Sequence, residues 1–352
     1  MSAHAFIGRY TNSQFGIHHV VVTDDGRLEA AGVTDAVDNP IYFAVNRAKD
    51  RLYVAQGATV GGNRATNGAV AVYAIAPDKT LALLDKRVLP FSVPCFISLD
   101  RDETALVYAE YSNAHAGVLG LRADGTFETG YGVRVHHEGH GPNPARQEAA
   151  HAHCARTSPG NDLLLVCDLG LDTVLAYDFA AWRDGLRRRP ESEIRTAPGA
   201  GPRHLIFNDA GTCAYLVNEL DSTVQSLAFD GVRFTPLQTL SMLPPAFRGE
   251  TKAAAIRLSP DGRWLLASNR GHDSIAAFAV GSDGRLAETP VISLLTGHFP
   301  RDFAFVPGTD FVLCCHKLSD EIALYRFNAE TGLLARLPAT LPMERPLAIA
   351  FA

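Results

Sequence analysis

The chain has 352 residues, 47% of them hydrophobic and 20% charged, with a formal net charge of -6, the make-up of an ordinary soluble globular protein. The acidic balance leaves no basic footprint for nucleic acid. No apolar run approaches the ~20 residues that span a bilayer, and the opening MSAHAFIGRYTN lacks the pattern of a secretion signal, so a cytoplasmic protein with no nucleic-acid or membrane partner is expected.

In chain order, HAFIGRY, FGIHHVVVTDDG and LEAAGV read as three strands, and from Pro40 a unit recurs. PIYFAVNRAKDRLYVAQ begins at Pro40, PCFISLDRDETALVYAE at Pro94, AHCARTSPGNDLLLVCD at Ala152, PRHLIFNDAGTCAYLVN at Pro202, AAAIRLSPDGRWLLASN at Ala253 and PRDFAFVPGTDFVLCCH at Pro300. Each is a gapless stretch of 17 residues: a short strand, a polar turn such as SPDG or NDAG, then a second apolar strand closing on a polar residue. A third alternating strand follows, as in DTVLAYDFA, STVQSLAFD and DEIALYRFN, and then a more polar fourth, as in VRFTPLQTL. Period-two alternation marks half-buried strands. Only AWRDGLRRR suggests a short helical turn.

The repeats start 46 to 58 residues apart, and four strands in ~50 residues make one blade of a β-propeller. The C-terminal PLAIAFA from Pro346 is a first strand with nothing after it, whereas the N-terminus supplies second, third and fourth strands. Joined, they complete a seventh blade and remove the open sheet edges of a linear array. The expectation is an all-β, seven-bladed β-propeller over residues 1–352, one domain of four-stranded antiparallel blades closed by a blade shared between the termini. Its six cysteines, at 95, 154, 167, 213, 314 and 315, form no CxxC pair and lie mostly inside strand-like runs, as buried free thiols of a reducing compartment do.

In such a ring the first strand of each blade lines the central channel and its first residue sits at one mouth. Counting from the leading Pro or Ala as zero, position one reads Ile41, Cys95, His153, Arg203, Ala254, Arg301 and Leu347. The second strand returns to the same mouth. Its position 17 reads Gly57, Tyr111, Leu169, Glu219, Arg270, Lys317 and, for the N-terminal blade, Arg9. His153, Arg203, Glu219, Arg270, Arg301, Lys317 and Arg9 are therefore expected to converge. A cluster of cations around one Glu and one His suits a small anion, because a guanidinium donates two parallel hydrogen bonds to a carboxylate or phosphate. The competing explanation is charges that only satisfy one another, Arg203 with Glu219 for instance.

Other signals weigh less. VHHEGHGPNPARQEAAHAH holds five His, and His136 and His140 have the i, i+4 spacing of a helical metal site. Gly139, Gly141, Pro142 and Pro144 argue against a helix, so the segment reads as an inter-blade loop over the mouth with no metal. GATVGGNRATNG, residues 57–68, precedes no helix and reads as a rim loop. No GxSxG elbow supports a serine hydrolase. Asp172, Asp221, Asp273 and Asp320 recur at one place in successive blades and read as a turn or inter-blade bonding device.

The stretches HAHC…LVCDLGLDTVLAYDF, GPRHLIF…YLVNELDSTV, LSPDGRWLLASNRGHDSIAAF and FPRDFAF resemble the lactonase family of seven-bladed propellers over nearly the whole chain. That family includes the propeller-type 6-phosphogluconolactonases and the fungal carboxy-cis,cis-muconate lactonising enzymes. The resemblance implies a site built from His153, with His151 as its rival, and from Arg203, Glu219 and Arg270. The chain departs from the family at Ala254, where an acid is common, at His316 and Lys317, where amides are common, and at Arg9, where a small residue is usual. These departures make the pocket more positive.

The function so implied is hydrolysis of an anionic sugar lactone, foremost 6-phosphogluconolactone, with no metal or organic cofactor. His153 takes the proton of the attacking water, Arg270 stabilises the carbonyl oxygen, and Glu219 orients an Arg, a His or a sugar hydroxyl. Arg203 with Arg301 or Lys317 holds the anionic group, and His151 and Arg9 line the same pocket. A lactone-forming carboxymuconate cycloisomerase needs a similar pocket, and a non-catalytic propeller scaffold is the third reading.

Overall fold

The computed structural model describes residues 2–10, 16–35, 37–60, 63–89, 93–130, 132–295 and 297–352. The described strands form seven four-stranded antiparallel sheets. Their inner strands are Pro40–Val45, Phe96–Leu99, Ala152–Thr157, Pro202–Phe207, Lys252–Leu258, Pro300–Phe305 and Pro346–Phe351, in blades 1 to 7. Each inner strand contacts the next, and the last contacts the first, so the sheets close into a ring. Blade 7 is the shared one: Pro346–Phe351 pairs with Ala3–Arg9, which continues to Ile17–Val22 and Leu28–Thr34.

The core lies between blades. Leu266 and Ile275 of blade 5, for example, pack with Phe303, Val312 and Tyr325 of blade 6 in one buried cluster. Alternation along each strand supplies both faces, so each blade is covered by its two neighbours. All six cysteines are free thiols, and only Cys95 is partly exposed.

One irregularity recurs where it matters. In blades 1, 3, 4 and 6 the register shifts between position zero and position two: Pro40/Tyr42, Ala152/Cys154, Pro202/His204 and Pro300/Asp302. The extra residue is position one, so Ile41, His153, Arg203 and Arg301 are all bulged. A bulge leaves one residue outside the ladder and re-aims its side chain. This is why polar side chains are accepted at the head of an otherwise buried strand.

Register also corrects two expectations. Arg9 pairs with Pro346 as Asn218 pairs with Pro202, which puts Arg9 at position 16; Tyr10, whose N–H donates to the Arg345 carbonyl at 3.3 Å, takes position 17. Asp172, Asp273 and Asp320 do form the recurring device, each with a left-handed φ of 51–52°. Their carboxylates accept backbone N–H groups leading to the next blade, from Gly199 and Gly201, Phe299, and Arg345. In blade 4 the left-handed residue is Ser222 rather than Asp221, which bonds within its own turn to Thr223. The stretch 57–68 is not a simple rim loop. Arg51–Val60 and Asn63–Ile75 run on as a long hairpin, with Gly57 opposite Gly68 and Ala58 opposite Asn67, while residues 61–62 lie outside the described ones. Glycine keeps its backbone donor and acceptor, so the ladder continues through it.

Candidate active site

The organising group at the mouth is Glu219, just past the second strand of blade 4. Its backbone is fixed on both sides: its N–H donates to the Gly201 carbonyl at 2.7 Å, and its carbonyl accepts from Ala253 of blade 5 at 3.0 Å. The carboxylate is almost fully buried and holds three guanidiniums. Oε1 accepts from Arg146 Nη2 at 2.6 Å; Oε2 accepts from Arg203 Nε at 3.0 Å and lies 2.8 Å from Arg270 Nη2. Burial pushes this carboxyl up, but Arg270, His153 and Arg146 more than offset it and hold it at about 2. Glu219 is therefore ionised throughout the physiological range.

His153 stands beside it, with Nε2 3.9 Å from Glu219 Oε2, too far for a direct hydrogen bond. Burial drives its pKa down to about 4 despite the attraction of Glu219, so the imidazole is neutral at pH 7. Nδ1 is buried without a hydrogen-bond partner among the described residues. His151 is placed differently. Its ring stacks on Tyr111 at 4.3 Å, Nδ1 lies 3.1 Å from the Tyr111 carbonyl and Nε2 lies 3.2 Å from Glu148. With both nitrogens engaged, His151 braces Tyr111, while His153 meets the same ring in a T-shaped contact at 5.6 Å.

The arginines divide by exposure. Arg203 is fully buried, its Nη1 donating to the Ala254 carbonyl at 2.5 Å as well as lying against His204. It sits behind Glu219 and not in the open pocket. Arg270 donates Nε to the Lys252 carbonyl at 3.1 Å and Nη2 to the Ala253 carbonyl at 2.7 Å, which leaves Nη1 for another acceptor. Its guanidinium lies over the Phe299 ring at 5.2 Å, with Lys317 Nζ at 5.8 Å from the same ring. Arg301 makes no hydrogen bond or ion pair among the described residues. Burial lowers its pKa, and burial followed by repulsion from Arg301, Arg345 and Arg270 lowers that of Lys317. Beyond Arg270, the sector from blades 5 and 6 thus carries Arg301 and Lys317, neither in an ion pair among the described residues, with Asp302 the carboxylate that acts on Arg301.

Seven of the eight residues singled out from the sequence gather at this mouth: His151, His153, Arg203, Glu219, Arg270 and, across from them, Arg301 and Lys317; Arg9 does not join them. Arg9 turns towards the third strand of its own blade, with Nη1 2.9 Å from His18 Nε2 and Nη2 3.2 Å from Glu344. That follows from its position 16, which also sends Asn218 to Thr223 and Asn269 to Ser274. His316, at position 16 of blade 6, likewise bonds Tyr325 at 2.9 Å and leaves only Lys317 at the mouth.

Arg146 was not among the expected site residues. It belongs to the His-rich segment, which overhangs the mouth as an irregular loop. His137 Nδ1 lies 2.6 Å from Asp168, and Gln147 Nε2 donates to the Leu169 carbonyl and to Asp172, both at 2.8 Å. Gly170 packs so closely on the Ala149 carbonyl that a Cβ there has no room. Clamped this way, the loop delivers Arg146 onto Glu219 and towards the Tyr111 hydroxyl at 3.4 Å. No repeat periodicity marks a loop residue. Its only signal was a cation in a segment placed over the mouth.

A seven-bladed ring whose channel mouth joins a neutral buried His, an ionised Glu, and Arg and Lys side chains has the groups of a propeller hydrolase. Residues 4–351 match the family described as Lactonase, 7-bladed beta-propeller. The chain belongs to that family and is a lactone-hydrolysing enzyme. It is 30% identical over 352 residues, 98% of this chain and 97% of the other, to 6-phosphogluconolactonase of Bacillus subtilis. The periplasmic gluconolactonase of Pseudomonas aeruginosa superposes with a TM-score of 0.90 at 30% identity, over 100% of this chain and 99% of that one. A crystal structure of a Lactobacillus plantarum protein gives 0.89 at 31% identity, over 100% of both chains.

Proposed function

We propose that this enzyme hydrolyses an anionic sugar lactone, foremost 6-phosphogluconolactone to 6-phosphogluconate, at the mouth organised by Glu219. The observation that carries this reading is the division of the mouth. One sector holds the neutral His153 beside Glu219, and the other presents Arg301 and Lys317, neither held in an ion pair among the described residues. The relative named 6-phosphogluconolactonase supports the same substrate.

In this scheme the phosphate lies against Arg301 and Lys317, and the lactone carbonyl points at Arg270. With the ring proton of His153 on Nδ1, Nε2 takes a proton from water as the water oxygen bonds to the carbonyl carbon. Charge developing on the carbonyl oxygen is met by the remaining guanidinium donor of Arg270. The ring C–O bond then breaks, and the imidazolium returns its proton to the departing alkoxide. Arg203 and Arg146 fix Glu219, and Glu219 in turn fixes Arg270 and stabilises the transient imidazolium. A phosphorylated sugar and six free cysteines both suit a cytoplasmic enzyme.

Arg301 and Lys317 also suit a carboxymuconate, which a cycloisomerase closes to its lactone. Acid release from freshly made 6-phosphogluconolactone, above its spontaneous rate, tests the proposal. Loss of conjugated-diene absorbance from a carboxymuconate, with no acid release from the sugar lactone, would favour the second reaction.

A further inference from the structure

The mouth occupies one end of the channel. Three residues further along the inner strands, about 10 Å at the usual strand rise, the wall changes character. Ala44, Ile206, Ala304 and Ala350 lie at that level, each only partly buried although it belongs to an innermost strand. The channel is open to solvent there.

Arg156 of blade 3 and Arg257 of blade 5 share this level. Both guanidiniums act on Tyr42 of blade 1 and His204 of blade 4, which places them inside the ring. Arg257 is fully engaged. It donates to Asp302 at 2.8 Å and to the Ile256 carbonyl at 2.9 Å. Arg156 is not. It makes no hydrogen bond or ion pair among the described residues, and its Nε is sealed from solvent without a partner. Its guanidinium carbon lies 5.9 Å from the centre of the Phe96 ring.

Rings separate this level from the mouth. His153 meets His204 at 5.4 Å, His204 meets Phe96 at 5.1 Å, and Phe96 meets Tyr42 at 4.5 Å between centroids. Asp302 faces Arg257, which it bonds, and also acts on Arg301, so Arg156 is the guanidinium of this level left without a hydrogen-bonded acceptor among the described residues. A sealed guanidinium donor with no acceptor is costly unless something accepts from it.

The geometry points to a second binding site, in the channel beneath the mouth, for a small organic monoanion: a carboxylate held by Arg156, its aromatic or apolar body against Phe96, Tyr42 and the alanine wall. The guanidinium fork matches a carboxylate, apolar walls with one fixed charge are the usual form of a small-molecule site, and a dianion would bring one charge more than Arg156 offsets. The site uses neither Glu219, His153, Arg270 nor Arg301, so it stands whether or not the lactone assignment does.

The test is 4-fluorobenzoate titrated into the full chain and followed by 19F NMR, with neutral 4-fluorobenzamide as control. We expect saturable binding of the benzoate alone, retained in Arg301→Ala and weakened about tenfold or more in Arg156→Met. Thermal unfolding checks that each variant is folded. If Arg156→Met is not, Arg156→Lys should still bind, more weakly, because it keeps the charge and loses the fork. Absence of saturable binding to the wild type, equal binding of the benzamide, binding that survives Arg156→Met, or binding lost in Arg301→Ala would each overturn the proposal.

Discussion

Arg270 Nη2 lies 2.8 Å from Glu219 Oε2, although the two residues hold the same place in successive blades. Each ends a second strand and returns to the mouth. The ring sets them side by side, and the repeat assigns one a negative and the other a positive charge. Arg203 and Arg146 complete the arrangement from the inner strand and from the overhanging loop. The carboxylate is thus a hub: removing it leaves three guanidiniums facing one another in a buried place.

Glu219→Gln should therefore destabilise the fold and abolish turnover together. Breaking a buried ion pair by removing one partner typically costs about 3–5 kcal/mol. Urea unfolding should show a loss of that order, and kcat should fall at least about a hundredfold, as for other removals of preorganised charge. Unchanged stability would mean that the three arginines do not depend on this carboxylate.

Arg203→Ala should act through Glu219. Because Arg203 is fully buried and bonded to Glu219 and the Ala254 carbonyl, the variant should lose stability and kcat, with KM changed less. Arg301→Ala and Lys317→Ala should do the reverse. Each removes one charged contact of about 1.5–3 kcal/mol, so KM for a phosphorylated lactone should rise roughly tenfold or more. KM for the unphosphorylated lactone should barely move, and steady-state kinetics on the two lactones separates these cases.

Stability should depend on pH in two windows with the same sign. The folded Glu219 sits at about 2, below its ordinary 4.5, so its contribution is present above about 4.5 and is lost as pH falls towards 2. His153 sits at about 4 in the fold, below its ordinary 6.5. Between those values the unfolded chain binds the proton more readily, so stability drops as pH falls from 6.5 to 4, by up to roughly 3 kcal/mol. His316, which burial also lowers to about 4, adds to the same slope. Glu110 and Asp221, whose carboxyls burial raises to about 7 and about 6, bind protons more readily in the fold and oppose that slope above about pH 4.5, so urea midpoints should fall steadily from about pH 4.5 to 3 and change less above it.

The rate should be flatter than stability. A histidine that titrates at about 4 is already neutral at pH 5, so kcat/KM should be level from pH 5 to 8, with its acidic limb near 4. A limb near 6.5 would point to another base.

Much of this was legible in the sequence because a repeat converts residue spacing into position on a ring. The split blade followed from a lone strand at Pro346 and three strands at the N-terminus. His153, Arg203, Glu219 and Arg270 followed from two columns of one alignment. Failures came where the repeat does not reach. Arg9 was misplaced by one residue because the bulge that skips Leu347 cannot be seen in a period-two pattern, and one residue decides which way a side chain faces. Asp221 was grouped with Asp172, Asp273 and Asp320 although, counted from Pro202, Ser222 stands at their place, and Ser222 takes the left-handed turn. Arg146 lies in a loop whose path depends on the His137–Asp168 and Gln147–Asp172 contacts, which only the fold brings together.

The most direct measurement is acid release from freshly prepared 6-phosphogluconolactone, wild type against His153→Ala, with thermal unfolding confirming that the variant is folded. The wild type should accelerate hydrolysis clearly above the spontaneous rate, and the folded variant should lose that acceleration by a hundredfold or more, the usual scale for a positioned general base. A folded His153→Ala enzyme that keeps its full rate would contradict the site proposed around Glu219, and a wild type with no acceleration would contradict the substrate.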